Sequence, residues 1–123
     1  MEIVDRGMTR VTVSQSRRNE EVGKMGDHFA SGNWQVSKGK EGEFVERWTE
    51  FLGWARETQP SLVSASLIRD DNDSSHFVSF AEWSDSAGRS AWRQDPGFAE
   101  RLSACRSLCE DFYGGDYDRV VAI

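Results

Sequence analysis

The chain has 123 residues and a formal net charge of −6, enough for one domain with its own core and too few for two. The acidic balance argues against a nucleic-acid partner, which needs a basic face to meet phosphates. No stretch has the apolar length of a membrane span or a signal-peptide core, so a cytoplasmic protein with no membrane partner is expected.

Residues 1–24 contain five basic and four acidic residues and no aromatic. Such a segment buries too little apolar surface to offset its ordering entropy, so it is expected to be a mobile N-terminal tail ahead of a folded domain, 25–123. His28 to Ser37 reads as a strand. Ala30, Gly32, Trp34 and Val36 share one face, and Phe29, Ser31, Asn33 and Gln35 the other. Lys38-Gly39 turns the chain into a helix from about Lys40 to Thr58, where Phe44, Val45, Trp48, Phe51, Leu52 and Ala55 form a stripe of 3.6-residue period. Trp54 falls beside that stripe, a position for partial exposure or a partner contact.

Pro60 ends the helix. Leu62 to Asp70 and Ser75 to Trp83 read as two strands of a hairpin, joined by Asp71-Asn72-Asp73-Ser74, whose side chains favour turns. Ser84 is the expected N-cap of the next helix, with Asp85 at its positive end. Asp95-Pro96-Gly97 interrupts that helix, because proline disfavours helical geometry in the residue before it. A following helical stripe of Phe98, Leu102, Cys105, Cys109 and Phe112 is expected to end at Gly114-Gly115, with Tyr117 to Ile123 as the last strand. Cys105 and Cys109 then share one helical face and read as small buried hydrophobes in a reducing compartment. A two-thiol metal site lacks a His at ligand spacing, so no metal is expected.

The order βαββα(α)β fits an α+β, ferredoxin-like antiparallel sheet with helices on one face. Phe77-Val78-Ser79-Phe80-Ala81 and Val120-Val121-Ala122-Ile123 lack the alternation of a strand with one wet face. A second copy of the sheet is the simplest cover for that face, which predicts a homodimer. Glu82, between Ala81 and Trp83, needs a partner if buried, and Arg69 and Arg119 are the candidates.

Three segments carry a resemblance: Gly-Asn-Trp-Gln-Val-Ser-Lys-Gly-Lys-Glu-Gly-Glu-Phe (32–44), Phe-Val-Ser-Phe-Ala-Glu-Trp (77–83) and Ala-Trp-Arg-Gln-Asp-Pro-Gly-Phe (91–98). Together they resemble the antibiotic biosynthesis monooxygenase family, a group of dimeric α+β barrel proteins, over roughly residues 28 to 123. The family includes cofactor-free oxygenases of aromatic compounds, haem-degrading enzymes and members without known activity. In the haem-degrading branch an Asn, a Trp and a His are functional. Their positions fall here on Gly32, Trp92 and Leu102, and Asn33 next to the first points to the opposite face. Only the Trp is retained and no ring nitrogen stands at position 102, which argues against haem degradation.

The resemblance therefore implies a cofactor-independent monooxygenase acting with dioxygen on an aromatic, anthrone- or quinol-like compound. Such chemistry needs a dry aromatic pocket, a group that takes the substrate proton, and polar atoms for carbonyls. Trp34 and Trp92 are the expected ring clamp, Gly32 leaves room beside the first strand, and Asn33 is the nearby amide for substrate contact. His76 is the expected base, since its ordinary pKa lies near neutrality. Its parity with Val78 and Phe80 also allows it to face a dimer partner, as Asn33 and Gln35 could. Trp48 and Trp83 read as core. The competing function is a non-catalytic small-ligand-binding or assembly domain of the same fold. No glycine-rich phosphate loop or nucleophile elbow is present, and no cofactor is expected.

Overall fold

The computed structural model describes residues 26–123, so the expected tail, 1–24, lies outside the described residues. Four strands form one antiparallel sheet: β1 (His28–Val36), β2 (Leu62–Asp70), β3 (Asp73–Trp83) and β4 (Cys109–Asp118), in the order β2-β3-β1-β4. Three helices complete the βαββααβ chain: α1 (Glu41–Thr58), α2 (Ser86–Gln94) and α3 (Pro96–Arg106). This is the α+β, ferredoxin-like arrangement. β1 lies in the middle, paired with β3 from His28 opposite Trp83 to Gln35 opposite His76, and with β4 from His28 opposite Asp118 to Val36 opposite Cys109.

Alternation along the strands decides which residues meet the helices. Ala30, Gly32, Trp34 and Val36 of β1 and Phe77, Ser79, Ala81 and Trp83 of β3 are buried. The helices contribute Phe44, Phe51 and Ala55 from α1, Trp92 from α2 and Cys105 from α3 to the same core. Gly39, with φ of 89°, makes the left-handed turn that leads β1 into α1, a conformation open to glycine at little steric cost. On the other side of the sheet the large side chains are uncovered. Ile68, Phe80, Tyr113 and Tyr117 are 52%, 39%, 68% and 49% exposed.

Asp95 makes the break between α2 and α3 a compact corner. Its backbone N–H donates to Trp92 O (3.2 Å), closing α2, while its carboxylate accepts from Gly97 N (2.8 Å), opening α3 with Pro96 in the first turn. Pro96 has no N–H to satisfy, which suits that position. The cap of α2 is Asp85, accepting from Gly88 N at 2.6 Å, and not the expected Ser84. A carboxylate there both accepts the free N–H and complements the helix dipole.

The C-terminal third departs from expectation. The helical stripe stops at Arg106, so Cys109 and Phe112 belong to β4, and Gly114-Gly115 lies inside that strand opposite Gly32 and Ser31. Pairing with β1 supplies the hydrogen bonds that carry β4 through two glycines. Val120 to Ile123 lie outside any strand and are exposed, correcting the expected strand from Tyr117 to Ile123. Cys105 and Cys109 do not share a helical face; the Cys109 thiol donates to Cys105 O at 3.5 Å across the helix-to-strand junction. Burial pushes their thiols up to about 12 and about 11, which keeps both in the protonated, unreactive form. Glu82 meets Arg119 (3.2 Å) and also accepts from Gly26 N (2.6 Å), whereas Arg69 lies over the Phe77 ring.

Candidate functional site

Between the sheet and the three helices lies a cavity of about 450 Å³, within the usual size of small-molecule sites, about 300–1,000 Å³. Its floor is built from small residues on the helix-facing side of three adjacent strands: Ala30 and Gly32 on β1, Ser79 and Ala81 on β3, Gly114 on β4. Trp34 and Phe112, also cross-strand neighbours, form one wall, with ring centroids 4.1 Å apart. The Trp34 indole is fixed by donating to Ser79 Oγ at 3.0 Å in the buried interior. It leans over Gly32, where a Cβ would come within 2.7 Å of Trp34 Nε1.

The helices supply the remaining walls. Phe51 of α1 stacks on Trp92 at 5.6 Å, and Phe98 at the start of α3 meets Trp92 edge-on at 4.7 Å. Trp83, at the strand end, lies 4.9 Å from Trp92 and does not line the cavity. The buried Trp92 indole N–H has no hydrogen-bond partner among the described residues. An unmet buried donor costs about 1–3 kcal/mol.

Among the described residues, two ionisable side chains line this apolar space, Arg93 and Asp116. Arg93 Nη2 lies 2.6 Å from Asp116 Oδ1, and Arg89 Nε approaches the same oxygen at 3.8 Å. The hydrogen bond from Arg93 holds the Asp116 carboxyl below its ordinary value of 3.8, against a smaller opposing effect of burial. Arg89 is anchored more deeply, donating to Phe29 O at 2.9 Å and Tyr117 O at 3.4 Å, so it ties α2 to the backbones of β1 and β4.

Gly32, Trp34 and Trp92 thus come together at the cavity, while His76 and Asn33 lie elsewhere. These two share the uncovered face of the sheet. His76 Nε2 is 2.7 Å from Asn33 Oδ1, and His76 Nδ1 is 2.9 Å from Asp70 Oδ2. The bond to His76 is the main reason that Asp70 is held below its ordinary 3.8. The sheet separates this group from the cavity, which is what the alternation of β1 and β3 requires. Trp48 also lines the cavity. Arg93, Asp116, Ser79 and Phe112 escape a sequence reading. Phe112 does so because a helix-like spacing hides the start of β4, Asp116 because nothing local marks it, and Ser79 because it sits in an apolar run.

Among the described residues, no three His, Cys, Asp or Glu side chains are grouped to hold a metal ion, and no helix is long and apolar enough to cross a membrane. No curated protein sequence matches the chain. The fold is shared with a variant of SnoaB, a cofactor-independent oxygenase from Streptomyces nogalater. That structure matches at a TM-score of 0.73 and 21% identity, over 79% of this chain and 96% of that one. A conserved protein from Methanosarcina mazei Go1 matches at 0.70 and 12% identity, over 80% and 98%. A putative antibiotic biosynthesis monooxygenase from Deinococcus radiodurans matches at 0.69 and 15%, over 78% and 95%. The family model for antibiotic biosynthesis monooxygenase matches residues 28–101, and the chain belongs to that family.

Proposed function

We propose that this protein is a cofactor-independent monooxygenase that oxidises a planar, anthrone- or quinol-like aromatic compound with dioxygen. The observation that carries this reading is the aromatic cavity itself, with a floor of small residues and indole and phenyl walls. A planar ring system fits against a floor of small side chains, held by Trp34 and Phe112 on one side and Trp92 and Phe98 on the other. Aromatic pairs of this kind contribute about 0.5–1.5 kcal/mol each beyond area burial. Trp92 lines the cavity and its buried N–H has no partner among the described residues, which supports a polar contact to a substrate carbonyl there. SnoaB is similar in fold, and its description as a cofactor-independent oxygenase agrees with the reading.

For an anthrone the overall change is a ring CH₂ plus O₂ giving C=O plus H₂O. The electron-rich substrate anion supplies the electrons, and exclusion of water protects the intermediates. The decisive measurement is oxygen uptake with anthrones and hydroquinones. One O₂ consumed per anthrone, with quinone formed and no hydrogen peroxide released, is expected. Tryptophan quenching by the same compounds without oxygen uptake supports the non-catalytic binder instead.

We also infer that two copies pair through the uncovered sheet face. Ile68, Phe80, Tyr113 and Tyr117 are exposed there together, and a covering copy of the same sheet buries all four at once.

A further inference from the structure

We propose that Asp116 accepts the substrate proton and that Arg93 holds the resulting substrate oxyanion, so that the cavity selects aromatic ketones or phenols able to ionise beside α2 and β4. This rests on the oxygenase reading above. An apolar cavity that generates an anion needs a base and a counter-charge, and among the described residues Arg93 and Asp116 are the charged side chains that line it. His76 cannot reach the cavity without crossing the sheet.

The pair is built unequally. Arg89, four residues before Arg93 on the same face of α2, is only 12% exposed and is locked to two backbone carbonyls. Arg93 is 35% exposed and is held by Asp116, with its guanidinium 6.0 Å from the Trp92 ring centroid. Arg93, more exposed and without such backbone anchors, is therefore the arginine we assign to a ligand, while Arg89 stays fixed with its charge 3.8 Å from Asp116 Oδ1. Both arginines make their closest approach to Oδ1, which leaves Oδ2 as the oxygen we assign to the substrate proton. A substrate oxygen that draws Arg93 away removes the hydrogen bond that keeps Asp116 weakly basic, so the carboxylate gains proton affinity as the substrate loses it.

The bond changes balance. The ring C–H breaks, its proton passes to Asp116 Oδ2, and the electron pair enters the ring with its charge on the carbonyl oxygen against Arg93. The anion transfers one electron to dioxygen, and the ring radical and superoxide join in a new C–O bond. Asp116 returns its proton to the peroxide anion. It then removes the remaining proton from the same carbon as the O–O bond breaks. Hydroxide leaves, takes that proton from Asp116 to become water, and the quinone C=O remains.

Two measurements test this on the full chain. Asp116→Asn is expected to lower kcat for anthrone oxidation by about a hundredfold or more, the scale of a lost general base, with KM changed only a few-fold. Activity within about threefold of wild type overturns the proposal. The second probe is alizarin, a hydroxyanthraquinone that turns from yellow to red on losing a proton, so it reports anion binding without turnover. Bound alizarin is expected to ionise at lower pH than the free dye, and Arg93→Gln is expected to abolish that shift. A wild-type protein that leaves the dye's titration unchanged, or an Arg93→Gln variant that retains the shift, overturns the role of Arg93. Absence of oxygen uptake by the wild-type protein sinks the oxygenase reading and the proton transfer together. Uptake that survives Asp116→Asn sinks only the inference.

Discussion

At Gly32 a single hydrogen atom stands where any other residue would place a carbon 2.7 Å from Trp34 Nε1 and 2.9 Å from Ser79 Oγ. The missing Cβ lets the indole lie back, donate to Ser79 and leave the floor open. Gly32→Ala is expected to displace that indole, destabilise the fold by about 1–3 kcal/mol as other overpacked cores do, and weaken anthraquinone binding. Urea unfolding and ligand quenching of tryptophan fluorescence read the two effects, and wild-type values for both would refute the assignment of the floor. The place of Gly32 is legible in the sequence, because strict alternation along β1 puts it between Ala30 and Trp34. Asp116 is not legible, since nothing local marks a carboxylate after two glycines as the residue that faces a cavity.

Among the elements, the corner at Asp95 joins two helices through one side chain. Asp95→Ala removes the α3 cap and the contact from Gln59 Nε2 at 3.4 Å. A loss of about 1 kcal/mol is expected, measurable in thermal or urea unfolding, with Asp95→Asn retaining most of it; an unchanged midpoint would dismiss the cap. Asp95-Pro96-Gly97 announces this corner in the sequence because proline chemistry is local. The end of α3 is different. Phe98, Leu102, Cys105, Cys109 and Phe112 keep helical spacing past the true terminus at Arg106. The chain leaves the helix because β1 offers a ladder, beginning with Ser37 N donating to Leu108 O at 2.9 Å. That partner is some seventy residues away and leaves no local trace.

For the molecule as a whole, the uncovered sheet face makes the clearest demand. Full burial of a large apolar side chain contributes about 1.5–3 kcal/mol, and four such side chains lie together there. Ile68→Lys combined with Phe80→Lys is expected to convert a dimer into a folded monomer, seen as halved mass in sedimentation with an unchanged circular dichroism spectrum. A wild-type protein that sediments as a monomer at micromolar concentration overturns the pairing. His76, Asn33 and Asp70 lie on this same face, so their hydrogen bonds belong to its polar part and not to the cavity.

Element order, ferredoxin-like class, family likeness and the aromatic character of the site are all legible in the residues alone. The order and class follow from short-range periodicity and turn chemistry, and the likeness and the aromatic site from the three resembling segments. Which polar residues stand at the aromatic walls emerges from the fold. Asp116 and Arg93 meet across a strand and a helix, and His76 is placed beyond the sheet. The reason is physical: a side chain's face is set by strand register, and register is fixed by partners distant along the chain.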